Sequence, residues 1–235
     1  MAEQLEFPLG NVSLRQFDPV KNAAEGASRY TEGRYNPAGL ENTMAKPRRG
    51  FAVGQAYKAA ESQPEAPGIR DSYESMRQEV NRQHEFMTRP TEQGGMGLRH
   101  EVVAHDPYGG IGNQGDVGTA REMAADIGRG RIQTMSTATT GGHAYFSDEE
   151  NDKFRAVHDV FGHAATGRGV SRNGEEAAYL SHRQMFPKQA QAALASETRG
   201  QNSYLNYGAT QGDPEKRFPD QTSKLIGLPR FVQGK

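Results

Sequence analysis

The residues best suited to chemistry lie in HDVFGH, positions 158–163, where His158 and His163 stand five apart and Asp159 lies between them. Imidazoles ligate zinc and the first-row transition metals, and the chain has no cysteine, so a metal site here must be built from histidine and carboxylate. In an unbroken α-helix, residues five apart diverge by about 140° around the axis and cannot share one small ion. Gly162 offers a way round this. An interior glycine costs ~1 kcal/mol relative to alanine, whereas a glycine just past a helix end relieves the left-handed turn found there. The helix is therefore expected to end at Gly162, letting His163 swing back beside His158.

A third ligand must come from elsewhere. After Pro187, the segment PKQAQAALASETRGQNSYLNYG places Ala190, Leu194, Glu197, Gln201 and Tyr204 or Leu205 along one helical stripe. A carboxylate on an apolar face is costly unless a base such as Arg199 or a cation neutralises it, so Glu197 is the expected third ligand. Two histidines and one carboxylate form the facial triad of non-haem iron, which leaves three positions open; iron(II) is favoured, and zinc(II) on His2Glu is the runner-up. RNGEEAAYLSHRQMF brings a second set: Glu175, Tyr179 and His182 share a helix face, and one of Glu175, Glu176, Tyr179 and His182 could replace Glu197 as ligand or orient a histidine ring. Asp159 and Glu176 are candidate proton-transfer carboxylates. Arg199, with Gln201, Asn202 and Asn206, would contact a substrate or build a buried polar network. His84, His100, His105 and His143 have no partners at ligand spacing and read as ordinary.

The stretch His158-Asp159-Val160-Phe161-Gly162-His163 resembles the iron-binding stretch H-[DE]-x-[LF]-G-H of the pterin-dependent aromatic amino acid hydroxylases. In that family a downstream helix supplies the single glutamate ligand, so the resemblance implies His158, His163 and Glu197 as ligands. It covers only about residues 147–209. Phe154 and Arg155 stand where the family has Pro-Asp, Ala165 where it has a proline, and no residue of this chain calls for a pterin. The wider pattern, HDVFGH followed by GEEA and ETRGQN, also resembles uncharacterised proteins encoded by bacteriophages.

The elements that must position these residues are legible in part. Ser147 followed by Glu150 is a capping box, and Asp148, Glu149 and Glu150 suit the positive end of the helix dipole, so a helix begins there and buries Phe154, Val157 and Phe161. Tyr73, Met76, Val80 and Met87 mark an amphipathic helix over RDSYESMRQEVNRQHEFMTR. GLRHEVVAHD and RIQTMS read as strands, separated by a short helix that Thr119 caps and Gly128 ends, with Met123, Ala124 and Ile127 on its face. GGIGNQGDVG lacks the ending of a phosphate loop and reads as an active-site loop or a connector. Residues 1–69, with KPRRG and ESQPEAPG as linker, read as an extended arm, and 70–235 as the metal-binding domain. The expected fold is α+β and mainly helical, with a small two- or three-stranded element on a helical core.

Composition limits the function. The 235 residues carry 28 Lys+Arg against 29 Asp+Glu, which leaves no global footprint for nucleic acid or an anionic membrane. Apolar residues are 34% and mean hydropathy is −0.84, and no window approaches a membrane span. The expected setting is cytoplasmic: host cytoplasm, or a virion if the protein is phage-encoded. The expected function is a mononuclear non-haem iron oxygenase that hydroxylates a small molecule or a base. Two alternatives stand beside it: a zinc-dependent hydrolase, and a virion-associated or assembly protein that binds a protein partner through residues 1–69 and keeps a vestigial or structural metal.

Overall fold

A computed structural model describes residues 18–44, 46–108 and 117–207. Its helices are α1 (Lys21–Tyr30), α2 (Pro47–Ala59), α3 (Pro67–Thr88), α4 (Val117–Gly128), α5 (Asp148–His158), α6 (Arg172–His182), α7 (Gln191–Ala195) and α8 (Gln201–Tyr207). Two strands, β1 (Arg99–Val103) and β2 (Arg131–Met135), pair in parallel from Arg99 opposite Arg131 to Val103 opposite Met135. The fold is α+β and mainly helical. Parallel strands need a crossover, and α4 supplies it, burying Met123, Ala124 and Ile127 against the sheet. This helix starts at Val117, so Thr119 lies inside it rather than capping it. Most of the expected loop GGIGNQGDVG, residues 109–116, lies outside the described residues.

The central helix α3 starts on Pro67, whose missing N–H is no loss at a first helical position. It buries Tyr73, Met76, Val80 and Met87 as the periodicity predicts, together with the polar Glu79 and Gln83. Helix α5 starts on the expected capping box: the Ser147 side chain accepts from the Glu150 N–H while the Glu150 carboxylate accepts from the Ser147 N–H. Phe154, Val157 and Phe161 are buried, and the Arg155 guanidinium donates to the Met135 carbonyl at 2.7 Å, tying α5 to the end of β2.

Two expectations need correction. The helix does not stop at Gly162; its hydrogen bonding widens into a π-helical segment, Asp159–Ala164, with Gly162 inside it. Gly162 is needed for contact with another helix. A Cβ there would lie 3.0 Å from the Ala178 Cβ and 3.2 Å from the Ala178 carbonyl oxygen, so only glycine lets α6 approach this closely.

Residues 1–69 are not an extended arm over their described part, and the 69/70 boundary falls inside α3. KPRRG opens α2 rather than a linker. Ala23 and Ala27 of α1 and Val53 and Tyr57 of α2 are fully buried in the common core. α2 packs on α8 so closely that a Cβ at Gly54 would lie 2.6 Å from the Ser203 carbonyl oxygen. The Val20 N–H donates to the Ala164 carbonyl at 2.9 Å, and the Tyr35 and Ser181 hydroxyls share a hydrogen bond of 2.7 Å. The apolar residues before position 18 lie outside the described residues.

Two outcomes follow. A chain beginning at residue 70 will lack a cooperative urea transition followed by circular dichroism, because truncation opens the faces that α1 and α2 cover. Gly162→Ala will lower stability by about 1–3 kcal/mol through overpacking against α6, although alanine is the better helix former by ~1 kcal/mol; a higher urea midpoint in that variant would refute the close-approach role.

Candidate metal centre

In a π-helix the hydrogen bonds run i→i+5, so residues five apart return to one face. That register, and not a helix end, brings His158 and His163 together, with ring centroids 5.1 Å apart and planes at 87°. The carboxylate that meets them comes from the first turn of α6, which begins where the Ser171 side chain accepts from the Gly174 N–H. His158, His163 and Glu175 each offer a ligand atom, all within 4.8 Å of one another. Nε2 of His163 lies 3.6 Å from Glu175 Oε1, and Nε2 of His158 lies 3.9 Å from Glu175 Oε2. Both distances are too long for hydrogen bonds. They suit atoms that share an ion with bonds of about 2.0–2.2 Å each.

The outer nitrogens are engaged. His163 Nδ1 lies 2.9 Å from the Arg168 carbonyl, an acceptor only, so Nδ1 carries a proton and Nε2 is the nitrogen that faces Glu175. His158 Nδ1 lies 3.3 Å from Nδ1 of His182. His182 is fully buried, and that burial, reinforced by the two neighbouring imidazoles, holds its pKa well below the ordinary range. The inner face of the group is thus the two Nε2 atoms and a carboxylate.

The group opens on a cleft of about 460 Å³, within the usual size of a small-molecule site. The cleft lies beyond the carboxyl ends of the two parallel strands, between Asp106–Tyr108 after β1 and Gln133–Met135 of β2, the edge where open parallel sheets bind ligands. His158, Asp159, Glu175 and Glu197 face it from the helical side. The Asp159 pKa rises from its ordinary 3.8 to about 7, chiefly through loss of hydration and further through Glu175 and Asp106, against His163 and Arg155.

Glu197, the ligand expected from the stripe, is not in the His158 group. It sits in a second π-helical segment, Ser196–Gly200, with its side chain 6% exposed; it accepts from the Tyr73 hydroxyl at 2.6 Å and lies 3.1 Å from His143 Nε2. His143 Nδ1 accepts from the backbone N–H groups of Tyr145 and Phe146, which leaves the ring proton on Nε2, facing Glu197. Glu197 thus accepts from a neutral phenol, with the His143 ring beside it, where the stripe argument expected a cation. Spacing hid these neighbours, because Tyr73 and His143 are brought in from α3 and from the loop before α5. Glu175, one of the alternatives, is the carboxylate that joins the histidines.

Glu176 and Arg199, expected at the chemistry, form a forked ion pair with each other, and the Arg199 guanidinium lies over the Tyr179 ring at 4.4 Å. This pair braces α6 against the second π-segment and is absent from the cleft lining, whereas Gln201 and Asn202 belong to that lining. Of the four histidines read as ordinary, His84 and His100 share a hydrogen bond of 3.0 Å, and His100 lies 2.8 Å from the Thr134 hydroxyl.

The raised Asp159 pKa has a definite sign. The native state holds the proton more tightly than the unfolded chain, so this stabilisation is complete below about 3.8 and is lost as the pH rises through 7. With chelator present, Asp159→Asn will therefore be more stable than the parent at pH 8, and its advantage will shrink toward pH 4; urea midpoints across that range check it.

No protein-family model matches the chain, and no curated protein or solved structure is significantly similar to it.

Proposed function

We propose that the protein is a mononuclear metal enzyme, with His158, His163 and Glu175 as ligands, acting on a small molecule in the adjoining cleft. One observation carries this reading: His158, His163 and Glu175 bring three ligand atoms together at a partly buried point, with the His163 Nδ1 proton turned outward to a backbone carbonyl. A cation placed there would be held by two imidazole nitrogens and a carboxylate. Iron(II) is the ion the donor set suits best, since two imidazoles and one carboxylate leave three positions for the cleft side. The reaction class is then hydroxylation, in which R–H, dioxygen, two electrons and two protons yield R–OH and water, with an organic two-electron donor supplying the electrons. Asp159, titrating near neutrality on the cleft wall, is placed to deliver or accept a proton.

That same carboxyl favours a second reading. Zinc on two histidines and a glutamate activates water, and a neighbouring carboxylate with a pKa near 7 is the general base that hydrolysis requires. The assembly reading drew on low apolar content, a phage-like resemblance and a long arm that orders on a partner, and the burial of α1 and α2 removes the arm from that argument over its described part. Among the described residues, no helix is long and apolar enough to cross a membrane.

Protein purified without chelator is expected to carry close to one equivalent of iron or zinc by elemental analysis, and the anaerobic iron(II) form to bind nitric oxide with the spin-quartet signal of an open non-haem site. Glu175→Ala will lose the metal, and Glu197→Gln will keep it. Metal retained in Glu175→Ala but lost in Glu197→Gln would return the third ligand to Glu197. A site that takes zinc and never iron would replace hydroxylation by hydrolysis.

A further inference from the structure

The His158 ring has two nitrogens, and the centre needs the lone pair on Nε2. What decides this lies behind the ring, in a row of buried polar groups unusual for so apolar a core. Gln83 of α3 and His182 of α6 are both fully buried, and Glu79 nearly so. His182 is held among Phe154, Phe161 and Phe186, with the Phe186 ring centroid 4.8 Å away at 74°. In such surroundings each polar atom must find a partner, which makes the direction of every hydrogen bond deducible.

The deduction starts from groups that can only accept. One Gln83 amide end lies 3.3 Å from the Met185 carbonyl and 3.2 Å from Glu79 Oε1, so that end is the NH2. Glu79 is confirmed as an acceptor by the Tyr30 hydroxyl, 2.5 Å from Oε1, and by Arg82, 2.6 Å from Oε2. The other amide end is then the carbonyl oxygen, and it lies 2.7 Å from His182 Nε2, which must carry a proton. A second proton on His182 would bury a cation with no carboxylate in contact, so His182 Nδ1 is a lone pair. That lone pair, 3.3 Å from His158 Nδ1, calls for a proton there, and in the neutral form that binds a metal the His158 lone pair then falls on Nε2, toward Glu175.

We propose that Gln83 and His182 are positioning residues for the metal centre, locking His158 in the tautomer that presents Nε2 to the ion without themselves touching it. This rests on the metal reading of His158, His163 and Glu175, and it adds a reason for buried polarity on two helices that supply a single ligand between them. Each bond donates outward from the ion, from His158 to His182 to Gln83 to Glu79, and this polarisation makes His158 the more basic ligand. The two histidines are thus held differently: His163 by one backbone carbonyl, His158 by a side-chain row that reaches Tyr30 on α1.

Two measurements on the full chain test the role. In chelator-treated protein with 15N-labelled histidine, two-bond nitrogen–proton correlations report each tautomer; the expected pattern is His158 and His163 protonated on Nδ1 and His182 on Nε2. His182 protonated on Nδ1, or His158 on Nε2, overturns the proposal. Second, Gln83→Met keeps the length of the side chain and removes the acceptor. Cobalt(II) affinity by chelator competition is expected to fall about 10- to 100-fold, the usual cost of losing an orienting partner, with a shift in the ligand-field bands and loss of the fixed His182 tautomer. A Gln83→Met protein that folds and binds cobalt as tightly as the parent overturns the positioning role alone. A parent that binds neither cobalt, iron nor zinc overturns the metal reading itself. If Gln83→Met does not fold, the tautomers of the parent decide.

Discussion

The i→i+5 hydrogen bonding of Asp159–Ala164 is the constraint on which the rest of the site depends. A regular α-helix would turn His163 away from His158, whereas the wider turn restores both imidazoles to one face. A wide turn gives up regular backbone geometry, and the surrounding packing compensates. Val160, Phe161 and Ala164 are fully buried, the Ala164 carbonyl accepts from Val20, and the Ser181 hydroxyl donates to the Phe161 carbonyl at 2.6 Å. Gly162 lets α6 close on the turn, and α6 brings both Glu175 and His182. Ligand, counter-ligand and orienting imidazole are thereby placed by a single helix contact.

Electrostatics then separate two carboxylates that look alike in the sequence. Glu175 lies 3.6 and 3.9 Å from the two imidazoles, beyond ordinary hydrogen-bond reach, while Glu197 accepts from a phenol at 2.6 Å. The first arrangement leaves room for an ion between its members, and the second is closed by a neutral hydroxyl. Asp159, withdrawn from water beside both Glu175 and Asp106, stays close to neutrality and so provides titratable character at the cleft wall. Arg199 is absorbed by Glu176, which takes the most obvious cation away from the chemistry.

The N-terminal helices buttress this centre. α1 caps the π-turn through Val20 and anchors Glu79 through Tyr30, and α2 covers α8, the helix that carries Gln201 and Asn202 to the cleft. Low apolar content in residues 18–69 concealed this, because Ala23, Gly26, Ala27, Gly50 and Gly54 are among the buried positions there. Small residues contribute to a core by close approach more than by area, and a hydropathy reading passes over them.

By itself the sequence determined the local elements and singled out the histidine pair. The capping box at Ser147, the stripe Tyr73–Met76–Val80–Met87 and the two strands are written in patterns a few residues long, and the lack of cysteine limited the donors to histidine and carboxylate. Which carboxylate meets the two histidines, which polar groups lie behind His158 and what Gly162 packs against were decided only by the tertiary structure. Each depends on which helix lies opposite, and α3, α6 and the loop before α5 are brought together by packing across a hundred residues of chain. Spacing along one helix reports which residues share a face; it carries no record of the donors that another helix will place against them.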